Sequence, residues 1–461
     1  MLATFLIVAG GRALAATNFV GGTLVANTSW SSTIVVTSSV VVPGGVTLTV
    51  QPGTQVRLGA GLSITAQPGG SIAVQGAATN QARFIPNVGT TAWGNIAGTG
   101  NGALVTVRHA EVWRGGINLG SGVTALIEDC FIHEVDSAIV GNSAASATVR
   151  RVHVSNYSET VYNSTLALVE DSLFENLTSP SSDALELQGA PVGCIVRRCT
   201  LRNGSGSNTD GFDCNGSRNV LIADCVIHDF TDKAISFGSA AQGGQTCSGM
   251  IVSNCLIYNV NIGIALKDST TASFYQNTIA DSVNGLSFYE KFTGSGGGQM
   301  TNGYNNILFN NTTNVGLYYG STLVTTYSDI QGASWPGTGN LSTDPLFVSE
   351  VARDYRLAAN SPALGTGRDG LNMGAQFPNG SFIAPSHPVV QSLVASGGVS
   401  TLTFWADPVR TYTVQCASNI AASAWTNVMR VPTNVTSRLI TVTNPVLSAA
   451  GFYRLVTPAQ P

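Results

Sequence analysis

Asp183 and Glu186 stand three residues apart, Asp210 and Asp213 repeat that spacing, and Asp232-Lys233 follow Asp210 by 22 residues. Only 10% of the chain is charged, so this concentration calls for a chemical reason. Two carboxylates stacked about 5 Å apart at an effective dielectric near 20 repel by about 3 kcal/mol. Three arrangements offset that repulsion. A Ca²⁺ ion could take oxygen ligands from Asp183, Glu186, Asp210 and Asp213. Raised pKa values could keep a proton on one carboxyl. The ammonium of Lys233 could pair with its neighbours. Each of these is also a device of acid–base chemistry.

Whether these residues stack depends on the elements that carry them. A short phrase recurs along the chain: a small residue at its second position, an apolar residue at its fourth, and Asn, Asp or Glu at its sixth. It is seen in Asp129-Cys130-Phe131-Ile132-His133-Glu134, Arg198-Cys199-Thr200-Leu201-Arg202-Asn203 and Asp224-Cys225-Val226-Ile227-His228-Asp229. Its second positions fall at 110, 130, 152, 172, 199, 225, 255, 277, 306 and 328, spaced 20 to 30 residues apart. A second strand follows each phrase, headed by a small and an apolar residue, as in Ala184-Leu185, Gly211-Phe212, Ala234-Ile235 and Gly263-Ile264. Period-two alternation with no helical stretch between argues for stacked coils rather than βαβ units. The fold class expected is all-β: a right-handed parallel β-helix solenoid followed by a small C-terminal β-sandwich. Aligning the coils on Leu185, Phe212 and Ile235 puts Asp183, Asp210 and Lys233 in one column. Glu186, Asp213 and Ser236 then form another.

The rest of the chain sets bounds. Residues 1–16 carry an apolar run and an Ala-Leu-Ala-Ala stretch that reads as a signal peptide, so the protein is expected to be secreted or at the cell surface. Residues 17–376 are assigned to the β-helix, 377–388 to a Pro-bearing linker, and 389–461 to the β-sandwich, with Trp405, Tyr412, Trp425 and Tyr453 as its core. No later segment reaches the ~20 apolar residues of a membrane span. Net charge is −4 with no Lys/Arg cluster, which argues against a nucleic-acid partner. A monomer is expected. Cys130, Cys199, Cys225 and Cys255 share one repeat position and read as small apolar fillers, with a Cys199–Cys225 disulfide left open. Cys194 and Cys247 lie nearer loops and are the better disulfide candidates. His133, His153 and His228 take outward positions and read as solvated surface.

A family resemblance attaches to the same residues. Asn208-Thr209-Asp210-Gly211 resembles the Asn-Thr-Asp-Gly motif of polygalacturonases, with Asp232 one coil later. That resemblance implies a glycoside hydrolase in which Asp210 and Asp232 are the working carboxylates. Lys233 stands where the family has a third carboxylate, the Gly-His-Gly motif is absent, and Ala265-Leu266-Lys267 stands for Arg-Ile-Lys. The architecture also resembles pectate lyase-like polysaccharide lyases. In those, Ca²⁺ neutralises a uronate carboxylate while a Lys or Arg removes the adjacent proton. That likeness implies an acidic polysaccharide as partner, Lys233 as base, and Lys267 and Lys291 as alternatives from the next coils. A non-catalytic glycan-binding protein is the remaining expectation. The loops 242–248 and 294–298 are expected to wall the cleft.

Overall fold

The computed structural model describes residues 17–376 apart from 142–144, 160–165, 190–191 and 333, together with six strands between residues 390 and 456. The expected signal peptide and linker lie outside the described residues. Two compact units, residues 1–148 and 149–461, are each described by themselves.

In the first unit the strands Thr47–Val50, Ser71–Gln75, Leu104–Arg108 and Thr124–Glu128 pair in parallel, each to the next. Alternate residues such as Leu48, Ile72, Val105 and Ala125 stack inward and are buried. This in-register stacking of like residues is the consequence of a period-two pattern repeated once per coil.

The second unit repeats the scheme. One ladder joins Ile195–Arg197, Leu221–Ala223, Met250–Ser253 and Thr271–Tyr275. A second joins Leu173–Leu177, Thr200–Gly204, Val226–Gly238 and Leu256–Lys267. The register stacks Leu201, Ile227, Ile257 and Ile279, all buried. The repeated phrase acquires its meaning at its two ends. Arg198, Asp224 and Asn254 at its first position have φ of 53°, 54° and 52°. Asn203, Asp229 and Asn259 at its last have φ of 63°, 60° and 53°. Both are left-handed corners, where Asn and Asp are several-fold enriched. Asn203 Nδ2 donates to Asn176 Oδ1 at 2.8 Å, so these corners also bond from coil to coil.

The cysteines are free thiols, and all but Cys416 are buried. The disulfides expected at Cys194 and Cys247, and the Cys199–Cys225 bond left open, are therefore not formed. Cys247 Sγ donates instead to the Cys214 carbonyl. The histidines do point outward, but they are not solvated. His153 Nε2 lies 2.7 Å from Glu175 Oε1, and Arg202 Nε donates to Glu175 Oε2 at 2.8 Å. His228 is 2% exposed and stacks on Tyr258 at 4.6 Å. His133 stacks on Phe131 at 4.1 Å. Part of that outward face is covered by residues 347–376. Phe347, Tyr355, Ala363 and Met373 cluster with Val226, Leu256, Tyr258 and Phe309. The Gln376 amide donates to Asn254 Oδ1.

The C-terminal strands form two three-stranded antiparallel sheets, giving a small β-sandwich. Its core holds Leu402, Phe404, Tyr412, Val414, Val431, Ile440 and Val442. Tyr412 is buried there as expected and Tyr453 packs against it, whereas Trp425 is half-buried under the Arg454 guanidinium. Among the described residues no helix is long and apolar enough to cross a membrane.

Candidate functional site

The second strands of successive coils carry the candidate residues on one outward face. Leu185, Phe212, Ile235, Ile264 and Leu286 pair in turn and point inward, so the residues that follow them, Glu186, Asp213 and Ser236 among them, point outward. The register pairs Glu186 with Asp213 and Asp213 with Ser236, as the sequence alignment predicts. The other predicted column forms by side chain to backbone bonds. The Asp210 amide donates to Asp183 Oδ1 at 2.8 Å, and the Lys233 amide donates to Asp210 Oδ1 at 3.0 Å. A third outward column, which the sequence reading left unused, runs through Asn215, Gly238, Lys267 and Tyr289.

Lys233 is an ion-paired residue. Its ammonium donates to Asp210 Oδ1 at 3.2 Å and to Asp232 Oδ2. Burial works against its charge, but Asp210 and Asp232 outweigh burial and raise its pKa. A lysine held charged does not accept a proton, so the expectation of Lys233 as base is corrected. Asp210 and Asp232 share that one ammonium. This removes the independence that a hydrolytic acid and base in those two positions would need.

Lys267 is the opposite case. It is 4% exposed, and its Nζ donates to Ser236 Oγ at 2.7 Å. Burial lowers its pKa, Asp213 and Asp210 oppose that, and Lys233 and Lys291 reinforce it; the net direction is down. Its stem passes over Gly238, where a Cβ would lie 2.7 Å from Lys267 Cε. Ser236 Oγ donates onward to Asp213 Oδ1 at 3.0 Å. The amine, the hydroxyl and the carboxylate form one chain.

The carboxyls beside this chain hold protons near neutral pH. Burial, then the charges of Asp210 and Asp213, push Asp183 up to about 8. Burial and Asp213 push Glu186 up to about 7. Asp210 rises to about 6 because burial outweighs the stabilising Lys233. Of the three ways to relieve the acidic repulsion, the lysine ammonium is in place beside Asp210 and Asp232, and the raised pKa values of Asp183 and Glu186 favour a retained proton.

The oxygen donors are of the kind Ca²⁺ takes, but the ion needs six to eight of them converging. Among the described residues no three Asp, Glu, His or Cys side chains converge on one point. Asp210 turns both oxygens to Lys233, and Asp213 accepts from Ser236 and from Asn215 Nδ2. Asp183, Glu186, Asp210 and Asp213 as arranged do not fit a preformed Ca²⁺ cage.

Two loops lie beside the site, 239–248 and 290–296, and they overlap the expected walls 242–248 and 294–298. A residue that sequence reasoning passed over ties them down. Asp268, fully buried, accepts at Oδ1 from the amides of Lys291 and Phe292 at 2.7 and 3.1 Å and from Ser295 Oγ at 2.6 Å. Its Oδ2 accepts from the Ser239 amide at 3.4 Å. Gln242 Nε2 donates across to the Thr293 carbonyl at 3.4 Å. Asn215, also unforeseen, is 5% exposed, and its Oδ1 has no hydrogen-bond partner. The signal for both was register: Asn215 stands three residues after Phe212, and Asp268 directly follows Lys267, three after Ile264.

A family-model match agrees with the architecture of the solenoid. A family model described as right handed beta helix region matches residues 137–337. A search of the curated proteins finds no match. Among solved structures, pectate lyase Pel9A is 17% identical with a TM-score of 0.45, covering 73% of this chain and 89% of that one. The A-module of mannuronan C-5 epimerase AlgE6 from Azotobacter vinelandii is 12% identical with a TM-score of 0.33, covering 72% of this chain and 91% of that one. A tailspike protein mutant of E. coli bacteriophage HK620 is 11% identical with a TM-score of 0.34, covering 95% of this chain and 86% of that one.

Proposed function

We propose that this chain is a polysaccharide lyase acting on a uronate-containing polymer, with Lys267 as the base. One observation carries the proposal: a buried lysine of lowered pKa stands in the same face as two carboxyls whose pKa values are raised into the neutral range. An amine poised to accept a proton beside acids poised to give one is the pairing that β-elimination needs.

In this reaction the neutral Lys267 Nζ takes the proton from the carbon next to the uronate carboxylate. The electron pair left behind forms a carbon–carbon double bond, and the bond to the glycosidic oxygen breaks. The leaving oxygen takes its proton from Asp183 or Glu186. The cation available to the uronate carboxylate is Lys291, exposed and near enough to depress Lys267, since Lys233 is already paired with Asp210 and Asp232. Ser236 holds Lys267 in place and links it to Asp213, a path for the abstracted proton. No step runs through a metal. The polymer lies outside the cell in this reading, so the chain acts after export.

The test is the ultraviolet absorbance of an unsaturated uronate product, followed on a panel of uronate polymers. Release of that product by the wild type, retained in chelator and lost in Lys267→Met, is the expected result. Reducing ends without unsaturation would replace the lyase with a hydrolase, and turnover that chelator abolishes would return the metal to the mechanism.

A further inference from the structure

The register that positions Lys267 continues beyond it. Lys267 pairs with Tyr289, and Tyr318 stands one coil further on, its amide donating to the Phe288 carbonyl at 2.9 Å. Two coil steps, about 10 Å, therefore separate Lys267 from Tyr318. Tyr289, half-buried, lies between the two in their own column, and beside it Ala265, Ser287 and Gly316 pair in turn as a strip of small residues. A Cβ on Gly316 would lie 3.0 Å from the Tyr318 ring, which leans over that end of the strip.

Tyr318 is 54% exposed and Tyr319 64% exposed. Among the described residues from 149 to 376 they are the two exposed Phe, Tyr or Trp side chains, and they are consecutive. Their backbone is built, not slack. Tyr319 has φ 56°, uncommon for a bulky residue, and its carbonyl accepts from the Gly297 amide at 2.8 Å. A Cβ on Gly297 would lie 2.3 Å from the Tyr318 carbonyl oxygen, so the neighbouring coil needs glycine there for the turn to close. The two rings are held out to solvent by a defined turn.

We propose that Tyr318 and Tyr319 are a stacking platform for a pyranose ring of the polysaccharide whose cleaved bond lies at Lys267. The C–H face of the sugar lies on the aromatic ring, and the phenol hydroxyl is left free for a sugar hydroxyl or water. The bound chain consequently runs along the solenoid axis, from the acidic columns toward the Tyr318 coil. This proposal rests on the assignment of the site around Lys267 and gives that site a direction.

The experiment uses the full chain and its Tyr318→Ala, Tyr319→Ala and double variants, with Tyr318→Trp as the conservative control. Retardation is measured in gels containing polygalacturonate or alginate, and kcat and KM on uronate oligomers of rising length. In the wild type kcat/KM rises with oligomer length; the double variant loses about tenfold of that gain through KM. Tyr318→Trp retains the gain. An unaltered length dependence and unaltered retardation in the double variant overturn the platform, as does a wild type neither retarded by nor active on either polymer. A wild type that is retarded without turnover, and freed by the double substitution, keeps the platform and removes the lyase assignment.

Discussion

Lys267 Nζ donates to the Ser236 hydroxyl at 2.7 Å, and that hydroxyl donates to Asp213 at 3.0 Å. Three successive coils thereby contribute one group each to a single chain of hydrogen bonds. Lys233, two columns and one coil from Lys267, spends its charge on Asp210 and Asp232 instead. The two lysines differ in environment more than in position, and that difference separates their roles.

Substituting each lysine by Met separates these roles experimentally. Lys267→Met lowers turnover by about 10² to 10⁴-fold, the range of a lost general base, while the thermal midpoint stays near that of the wild type. Lys233→Met leaves Asp210 buried without its partner and destabilises the fold by about 3 kcal/mol. Denaturation curves alongside product absorbance read both effects. Equal stability loss in the two variants would contradict the assignment.

Activity and stability respond to pH in opposite ways. Turnover needs Lys267 neutral and Asp183 or Glu186 protonated, so kcat/KM is bell-shaped and falls on the alkaline side near 7 to 8. For stability, the folded Asp183 carboxyl at about 8 lies above its ordinary 3.8. Between those values the folded chain binds more protons than the unfolded one, and stability falls as pH rises. Glu175 acts the other way: burial is overcome by Arg202 and His153, holding it at about 2 against an ordinary 4.5. Its contribution is present above 4.5 and is lost as pH falls toward 2. The thermal midpoint therefore peaks near pH 5, and Asp183→Asn flattens the alkaline limb by a few degrees, read by calorimetry across pH.

The columns that made this site legible followed from the repeat alone. Counting from Leu185, Phe212 and Ile235 aligned Asp183 with Asp210 and Lys233, and Glu186 with Asp213 and Ser236, and the strand register matches. Which lysine has its pKa lowered was not legible, because burial decides it. The loops 239–248 and 290–296 that enclose Lys267 are irregular insertions with no repeat to count from. The outward histidines misled for a similar reason. Period two says that His228 faces away from the solenoid interior, but Tyr258 and residues 347–376 supply a second layer. Left-handed corners at both ends of the phrase are visible in the sequence as Asn and Asp, yet the same positions also carry Arg198 and His109.

Asp268 ties both walls of the cleft to one carboxylate. Asp268→Asn keeps the shape but removes the charge from four donors, each such bond being worth about 1.5–3 kcal/mol. Hydrogen exchange is expected to speed up in 239–248 and 290–296 together, with the coil ladders unchanged. Loosening of one loop alone would show that the two walls are independent.

Gly238 tests the placement of the base with the smallest change available. Its backbone lies outside the left-handed region, so alanine is sterically allowed there. The added Cβ meets Lys267 Cε at 2.7 Å, the flexible end of a side chain that can swing aside. Swinging aside costs Lys267 its bond to Ser236, while the ladder of Phe212, Ile235 and Ile264 beneath is untouched. Gly238→Ala is therefore expected to fold with a thermal midpoint close to the wild type and to lose turnover at least tenfold, the scale of an ångström-sized misplacement of a reacting group. A pH profile shifted toward the ordinary lysine range would accompany the loss, since the displaced amine regains water. An active Gly238→Ala enzyme with an unshifted profile would mean that the proton is taken by a group other than Lys267.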